Sequence, residues 1–281
     1  MRIEKEIISV VDTLKSLEGF VNSTFVTSLF GAFAGAYGGQ FIVEKIKNRE
    51  TLLTEIRNTN AAVLMTFDIC HSYILLKQQH VGPLKETFDK QREDLNTFQA
   101  GVKSGQIPDN EIFQFEADLK TCETMFVPIE VLQKLIFEKI SLDGRPLILN
   151  SNLIRAVQSL NNAIQKRNQL IEGYRAKTPM QSKDFATQYF GLPYSGGHID
   201  NNYPSCVEFI YKSTDDCIFF SKLLCEDLVA HGEQLKKKFG EDAPKIYTPN
   251  FNKAVEFGLI PDESKYSDWT NLFVKADAKN S

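Results

Sequence analysis

The sequence predicts a mainly α fold: an N-terminal single transmembrane helix followed by a cytosolic antiparallel helical bundle. Three observations carry that prediction. The run Gly19–Val43 (GFVNSTFVTSLFGAFAGAYGGQFIV) holds no charged residue and is bracketed by Glu18 and Glu44. Beyond it, apolar residues recur at steps of three and four over several long segments, the spacing of helices with one buried face. Gly and Pro residues punctuate those segments where helix connections are needed, which favours helices packed on one another.

Taken in order, residues 1–18 carry Ile3, Ile7, Val10, Leu14 and Leu17 at alternating steps of four and three, the seam of an amphipathic or coiled-coil helix. The same count continues through Val21, Thr24, Ser28, Gly31, Gly35, Gly38 and Ile42, so one stripe passes into the uncharged run without a phase break. A helix lying flat on the bilayer, with Lys5 and Lys15 on its polar side, is the alternative for this stretch.

At 1.5 Å per residue, a helix over residues 19–43 reaches about 37 Å, against a hydrocarbon core of about 30 Å. Gly31, Gly35 and Gly39 stand four apart, with Gly38 beside them. Lipid offers helices no hydrophobic drive to pair, so missing side chains are what let two backbones approach. This face therefore predicts a homo-oligomer. A cleaved signal peptide ending near Ala34 or Ala36 fits poorly, because Glu4, Glu6, Asp12 and Glu18 precede it where a short basic stretch belongs. The remaining reading is a soluble protein that buries the Gly-rich helix in its own fold.

Composition narrows the function classes. Of 281 residues, 42% are hydrophobic and 24% charged, so the chain beyond the span can build a core and is not expected to be disordered. A net charge of −4, with Lys236–Lys238 as the basic triplet at a predicted helix end, argues against nucleic acid. The five cysteines form no CxxC pair and read as reduced, buried thiols, which assigns the large C-terminal part to the cytoplasm. The basic residues flanking the span lean only slightly the same way.

Residues 44–281 are expected to form the bundle. Glu44–Gln79 lacks Gly and Pro, and its seam is Leu53, Ile56, Val63, Phe67, Cys70 and Ile74, with Asn60 inside it. A buried Asn commonly fixes register or oligomeric state, so Asn60 joins the glycines as an oligomerisation candidate. Gly82-Pro83 is expected to end this helix. Leu84, Phe88, Leu95 and Phe98 mark the next one, and Gly101–Pro108 a loop.

Asp109–Val127 alternates like a strand and also fits a helix. It is assigned to helix or irregular structure, because only Lys245–Thr248 offers a strand partner. Ile129, Leu132, Ile136 and Ile140 set one further helix, Gly144-Arg145-Pro146 a break, and Leu153 to Tyr174 a long helix. Met180–Pro204 reads as an irregular loop. Val207, Ile210, Thr214, Cys217, Ser221, Leu224, Leu228, His231 and Leu235 then mark the most regular helix, ended by Gly240. Short helices are expected around Phe251–Phe257 and Tyr266–Phe273.

Little here carries chemistry. GxxxxGK[ST], GxGxxG and GxSxG are absent, and Ser195-Gly196-Gly197 lacks the lysine a phosphate cradle would use. Helical bundles do hold metals, and Asp68/His71 and Asp227/His231 share helix faces, but neither pair has the Glu-x-x-His pattern. His231 lies on the apolar stripe, where a histidine is more often a hydrogen-bonded core residue. Asp215-Asp216 is assigned to the solvated outer face; if buried, it would draw on Arg155, Lys166 or Arg167. No catalytic residue, metal or cofactor is expected.

The expected function is a membrane-anchored, self-associating protein whose bundle senses, scaffolds, docks a protein partner or opens a membrane lesion. The alternative is a bundle enzyme or ligand-binding protein using Asp216, Asp227 and His231.

Overall fold

The computed structural model describes the backbone of residues 24–177 and 183–273, with side-chain surroundings given for Ser28, Ala32 and from Gly39 onward apart from Lys177 and Lys183. Residues 1–18, the start of the uncharged run and the surroundings of Gly31, Gly35 and Gly38 lie outside the described residues. The chain is mainly helical, and among the described residues it contains no β-strand. Its helices are α1 (Thr24–Leu76), α2 (Gly82–Lys103), α3 (Ile129–Lys139), α4 (Arg145–Lys177), α5 (Lys183–Phe190), α6 (Asn202–Phe239), α7 (Asn252–Glu256) and α8 (Ser267–Asn271). A π-turn at Lys77–Val81 and a 3₁₀ turn at Glu263–Tyr266 complete the set.

Contacts divide the chain between Thr54 and Glu55. In the first unit, every residue from Gly39 to Thr51 is exposed, and no neighbouring atom comes within 4 Å of the place a Cβ would take on Gly39. Among the described residues, one helical run, Gly39–Lys103, is long and apolar enough to cross a membrane. Its apolar 18-residue stretch is Thr59–Leu76, and 50% of that stretch is buried inside the fold, as a core helix of a water-soluble body would also be.

The second unit is built where three apolar stripes meet. The later part of α1 supplies Ile56, Ala62, Val63, Ile69, Cys70, Tyr73 and Ile74; α4 supplies Leu149, Leu153, Val157, Leu160 and Ile164; and α6 supplies Ile210, Cys217, Ile218, Leu224 and Leu228. Within each set residues four and seven apart recur, so each helix turns one face inward. The pairing direction follows from cross-links. Val63 O accepts from Cys225 Sγ and Ile218 O from Cys70 Sγ, both at 3.7 Å, so α6 runs backward as α1 runs forward. Likewise Arg145 meets Asp227 while Arg167 meets Tyr203, which makes α4 antiparallel to α6.

Gly82-Pro83 does not end the first long helix in a loop. The chain widens into the π-turn and passes directly into α2, with Pro83 in the first turn and the Gly82 N–H donating to Lys77 O. A proline ring collides with the carbonyl one α-turn earlier, and a π-turn is a way of admitting it without breaking the helix. Glycine is required at 82 because a Cβ there would stand 2.9 Å from the Lys77 carbonyl oxygen.

The stretch Met180–Pro204 also differs from expectation, since it contains helix α5. Phe185, Tyr189 and Phe190 bury there with Tyr174, Tyr203 and Phe88, the Tyr189 and Tyr203 rings stacking at 4.6 Å. Asp184 in the first turn and the four-residue step from Phe185 to Tyr189 are the local signals for it. Residues 109–127 form neither helix nor strand.

Candidate functional site

The irregular stretch becomes ordered where it crosses α4. Asn161 and Asn168 each hold one residue of it by both backbone groups. The Asn161 amide accepts from Met125 N and donates to Met125 O, both at 3.1 Å. The Asn168 amide accepts from Cys122 N at 3.1 Å and donates to Cys122 O at 2.7 Å. Arg175 continues the series by donating to Leu119 O at 2.8 Å. The clamps advance by seven residues on α4 and retreat by three on the strap. Seven helical residues rise about 10.5 Å and three extended ones about 10 Å, so the two spacings match and the strap lies antiparallel to the helix.

Between the clamps sits Arg167, only 2% exposed. Its Nη1 donates to Lys120 O at 2.7 Å and its Nη2 to Asp118 O at 3.0 Å and to the Tyr203 hydroxyl at 3.2 Å. The Tyr203 hydroxyl in turn donates to Asp118 O at 2.9 Å, and the guanidinium lies 5.6 Å from the Tyr203 ring centre. Burial raises the Tyr203 hydroxyl above its ordinary pKa although Arg167 opposes the shift. Arg167 Nε, by contrast, has no hydrogen-bond partner. The carboxylate paired with this cation, that of Asp118, stands 3.9 Å away and is 33% exposed.

Under the strap, and against the π-turn and the start of α2, lies a cavity of about 560 Å³. Leu76, Val81, Leu84, Ile164 and Ile210 make its apolar side, while its polar side is of mixed charge, with Arg167, Lys120 and His80 beside Asp118 and Glu123. A cavity of this size with an apolar wall and a few converging polar groups has the make-up of a small-molecule site.

On the π-turn itself, Lys77 is buried and donates to Asp215 Oδ1 at 2.6 Å and to Leu259 O at 3.1 Å. Asp215 is therefore not on the solvated outer face, and its partner is Lys77 rather than Arg155, Lys166 or Arg167. Asp216 is half-buried and accepts from the Tyr266 hydroxyl at 2.8 Å; burial, opposed by that hydrogen bond, holds its carboxyl above the ordinary range.

The other residues singled out from sequence are dispersed. Asp227 takes two hydrogen bonds from Arg145, that from Nε at 2.9 Å. His231 Nε2 lies 3.4 Å from Glu55 Oε1, which also accepts from Ser141 N at 2.9 Å. Asp216, Asp227 and His231 thus hold three separate partners. Among the described residues, no group of three or more His, Cys, Asp or Glu converges as a metal ion would need. Asn60 spends both halves of its amide inside the chain, donating to Lys245 O and accepting from Tyr247 N, each at 2.9 Å.

All five cysteines are free thiols. Burial pushes Cys70 and Cys225 up to about 12 and Cys217 well above its ordinary value, so none of the three offers a thiolate near neutral pH.

Sequence reasoning missed Lys77, Asn161 and Asn168, and took Arg167 only as a partner for Asp215-Asp216. The available signal was polar periodicity: Asn161, Asn168 and Arg175 recur every seventh residue on one face of an amphipathic helix. No protein-family model, curated protein or solved structure matches this chain.

Proposed function

We propose that this chain is a membrane-anchored, self-associating helical protein. In this reading residues 19–43 cross the bilayer, and residues 44–281 form an antiparallel helical bundle in the cytoplasm that acts as a sensing or scaffold module for a protein partner. The observation that carries the reading is the surface of α1 at the end of the uncharged run and just past it. Phe41, Ile42, Val43 and Ile46 are 69, 59, 65 and 54% exposed. Each large apolar side chain left in water forgoes about 1.5–3 kcal/mol of burial, and a lipid interface recovers it. Open space around Gly39 supports the self-association part, since a second helix could approach there without meeting a side chain.

Flotation of the full chain with liposomes tests the anchor, and crosslinking in mild detergent tests assembly. The expected result is co-flotation and discrete oligomers that are lost when Gly31, Gly35 and Gly39 become Ile. Recovery in the soluble extract without detergent overturns the anchor, and monomers at every crosslinker dose overturn the assembly.

A further inference from the structure

We propose that residues 39–53 of α1 are the docking face for a second copy of this chain, packed parallel and in register, with Lys45 of each copy paired to Glu50 of the other. The inference rests on the reading that residues 19–43 cross the bilayer, and it carries the contact between copies out of the lipid and into water.

Three observations carry it. First, α1 runs without interruption from Thr24 to Leu76, so the chain leaves the uncharged run as a helix. Residues 39–51 are all exposed, Ile42 and Ile46 among them, and no neighbouring atom lies within 4 Å of the place a Cβ would take on Gly39.

Second, Gly39, Ile42, Ile46, Arg49 and Leu53 advance by alternating steps of three and four. That is the seam of a coiled coil, whose a and d places in each heptad face the partner helix. Gly39, Ile46 and Leu53 take a, and Ile42 and Arg49 take d. Arg49 is the one charged place, and a single polar residue in a seam fixes register at a cost in stability. Glycines inside lipid only permit two backbones to approach. Past Val43 water restores a hydrophobic drive, so Ile46 and Leu53 supply an attraction that the span itself lacks.

Third, the flanking places carry opposite charges. Lys45 stands at g and Glu50 at e of the following heptad, and both are exposed. In a parallel pair in register, g of each helix meets that e of the other, so Lys45 and Glu50 attract across both sides of the seam. Copies that enter one bilayer with one topology are parallel by necessity, which is the arrangement these charges favour. The chain is thus its own electrostatic complement, and the occupant of the face is a second copy.

Disulfide crosslinking of the full chain in liposomes tests the seam, and sedimentation equilibrium in mild detergent tests the charges. On oxidation, Ile46→Cys is expected to give a disulfide-linked pair. Thr51→Cys, on the far side of the helix, and the parent chain with its own five free cysteines are expected to stay unlinked. Lys45→Glu and Glu50→Lys should each weaken association by about tenfold, since each turns two exposed attractions into repulsions. Combining the two substitutions restores the attraction with the signs exchanged and should return association to within about twofold of the parent. Crosslinking as efficient at 51 as at 46, single charge variants that associate like the parent, or a double variant no stronger than the single ones would each overturn the proposal. Liposome flotation separates the two claims: a chain that floats but fails these tests overturns this proposal alone, whereas one that does not float overturns the bilayer reading beneath it.

Discussion

Lys77 and Asp215 meet at 2.6 Å inside the protein although 138 residues separate them in sequence. The same ammonium donates to Leu259 O at 3.1 Å and lies 5.4 Å from the Tyr211 ring centre, so one cation joins the π-turn, α6 and the segment after α7. The two side chains are 8 and 9% exposed, so water does little to solvate either charge.

Removing one partner therefore leaves an uncompensated buried charge. Lys77→Met or Asp215→Leu alone should cost about 3–5 kcal/mol, whereas the double variant should cost less than either single one. Urea denaturation of the four proteins in a double-mutant cycle measures this. Additive losses would mean that the two charges are solvated independently.

Gly82 offers a test in which the sign is informative. In an ordinary helix interior Ala is about 1 kcal/mol better than Gly. At 82 the added Cβ would sit 2.9 Å from the Lys77 carbonyl oxygen, so Gly82→Ala should destabilise, by about 1–3 kcal/mol as for other overpacked sites. Gly173, inside α4 with nothing within 4 Å of its Cβ position, is the control, and Gly173→Ala should stabilise. Thermal unfolding of both variants decides it, and a stabilising Gly82→Ala would mean that the π-turn is not a fixed feature.

What the sequence disclosed and what it hid divide along physical lines. Apolar steps of three and four located α2, α3, α4 and α6 because burial of one helix face leaves a periodic trace. The π-turn left none, since Gly-Pro is the ordinary sign of a helix end and its accommodation depends on one carbonyl moving aside. The strap was ambiguous because its order comes from Asn161, Asn168 and Arg167 bonding its backbone, an interaction that puts no constraint on its own side chains. Asp215 was misassigned because its partner is distant in sequence, and a Lys at the edge of an apolar stripe reads as solvated.

The strap clamps make a local prediction. Asn161→Leu and Asn168→Leu keep the approximate volume but remove two hydrogen bonds each, at about 1–3 kcal/mol where the backbone groups left behind are shielded from water. Hydrogen exchange at the Met125 amide should accelerate in the first variant and at the Cys122 amide in the second, with the α4 and α6 core amides unchanged. Asn161→Asp should give a smaller effect, because it still accepts from Met125 N. Unaltered exchange in all three would show that the strap is held by something other than this ladder.

Asp216 sets a pH dependence whose sign follows from its surroundings. Burial raises its carboxyl above the ordinary range, the Tyr266 hydroxyl pulls it back in part, and the charge of Asp215 adds to the rise. The folded protein therefore binds this proton more tightly than the unfolded chain, whose carboxyl titrates near about 3.9. Below that value both states are protonated; as pH climbs from there through the raised folded value, stability falls, because the folded state must then hold the charge at a site that disfavours it. Asp216→Asn keeps an acceptor for Tyr266 and cannot ionise, so it escapes this loss. Relative to the parent protein, the variant should gain stability as pH rises from about 4 toward 7, and lose that advantage again on acidification. Paired denaturation curves over this range isolate the difference, since every other group titrates in both proteins. An advantage that instead grows toward acid pH would place the Asp216 carboxyl below its ordinary value and assign the dominant influence to the Tyr266 hydrogen bond.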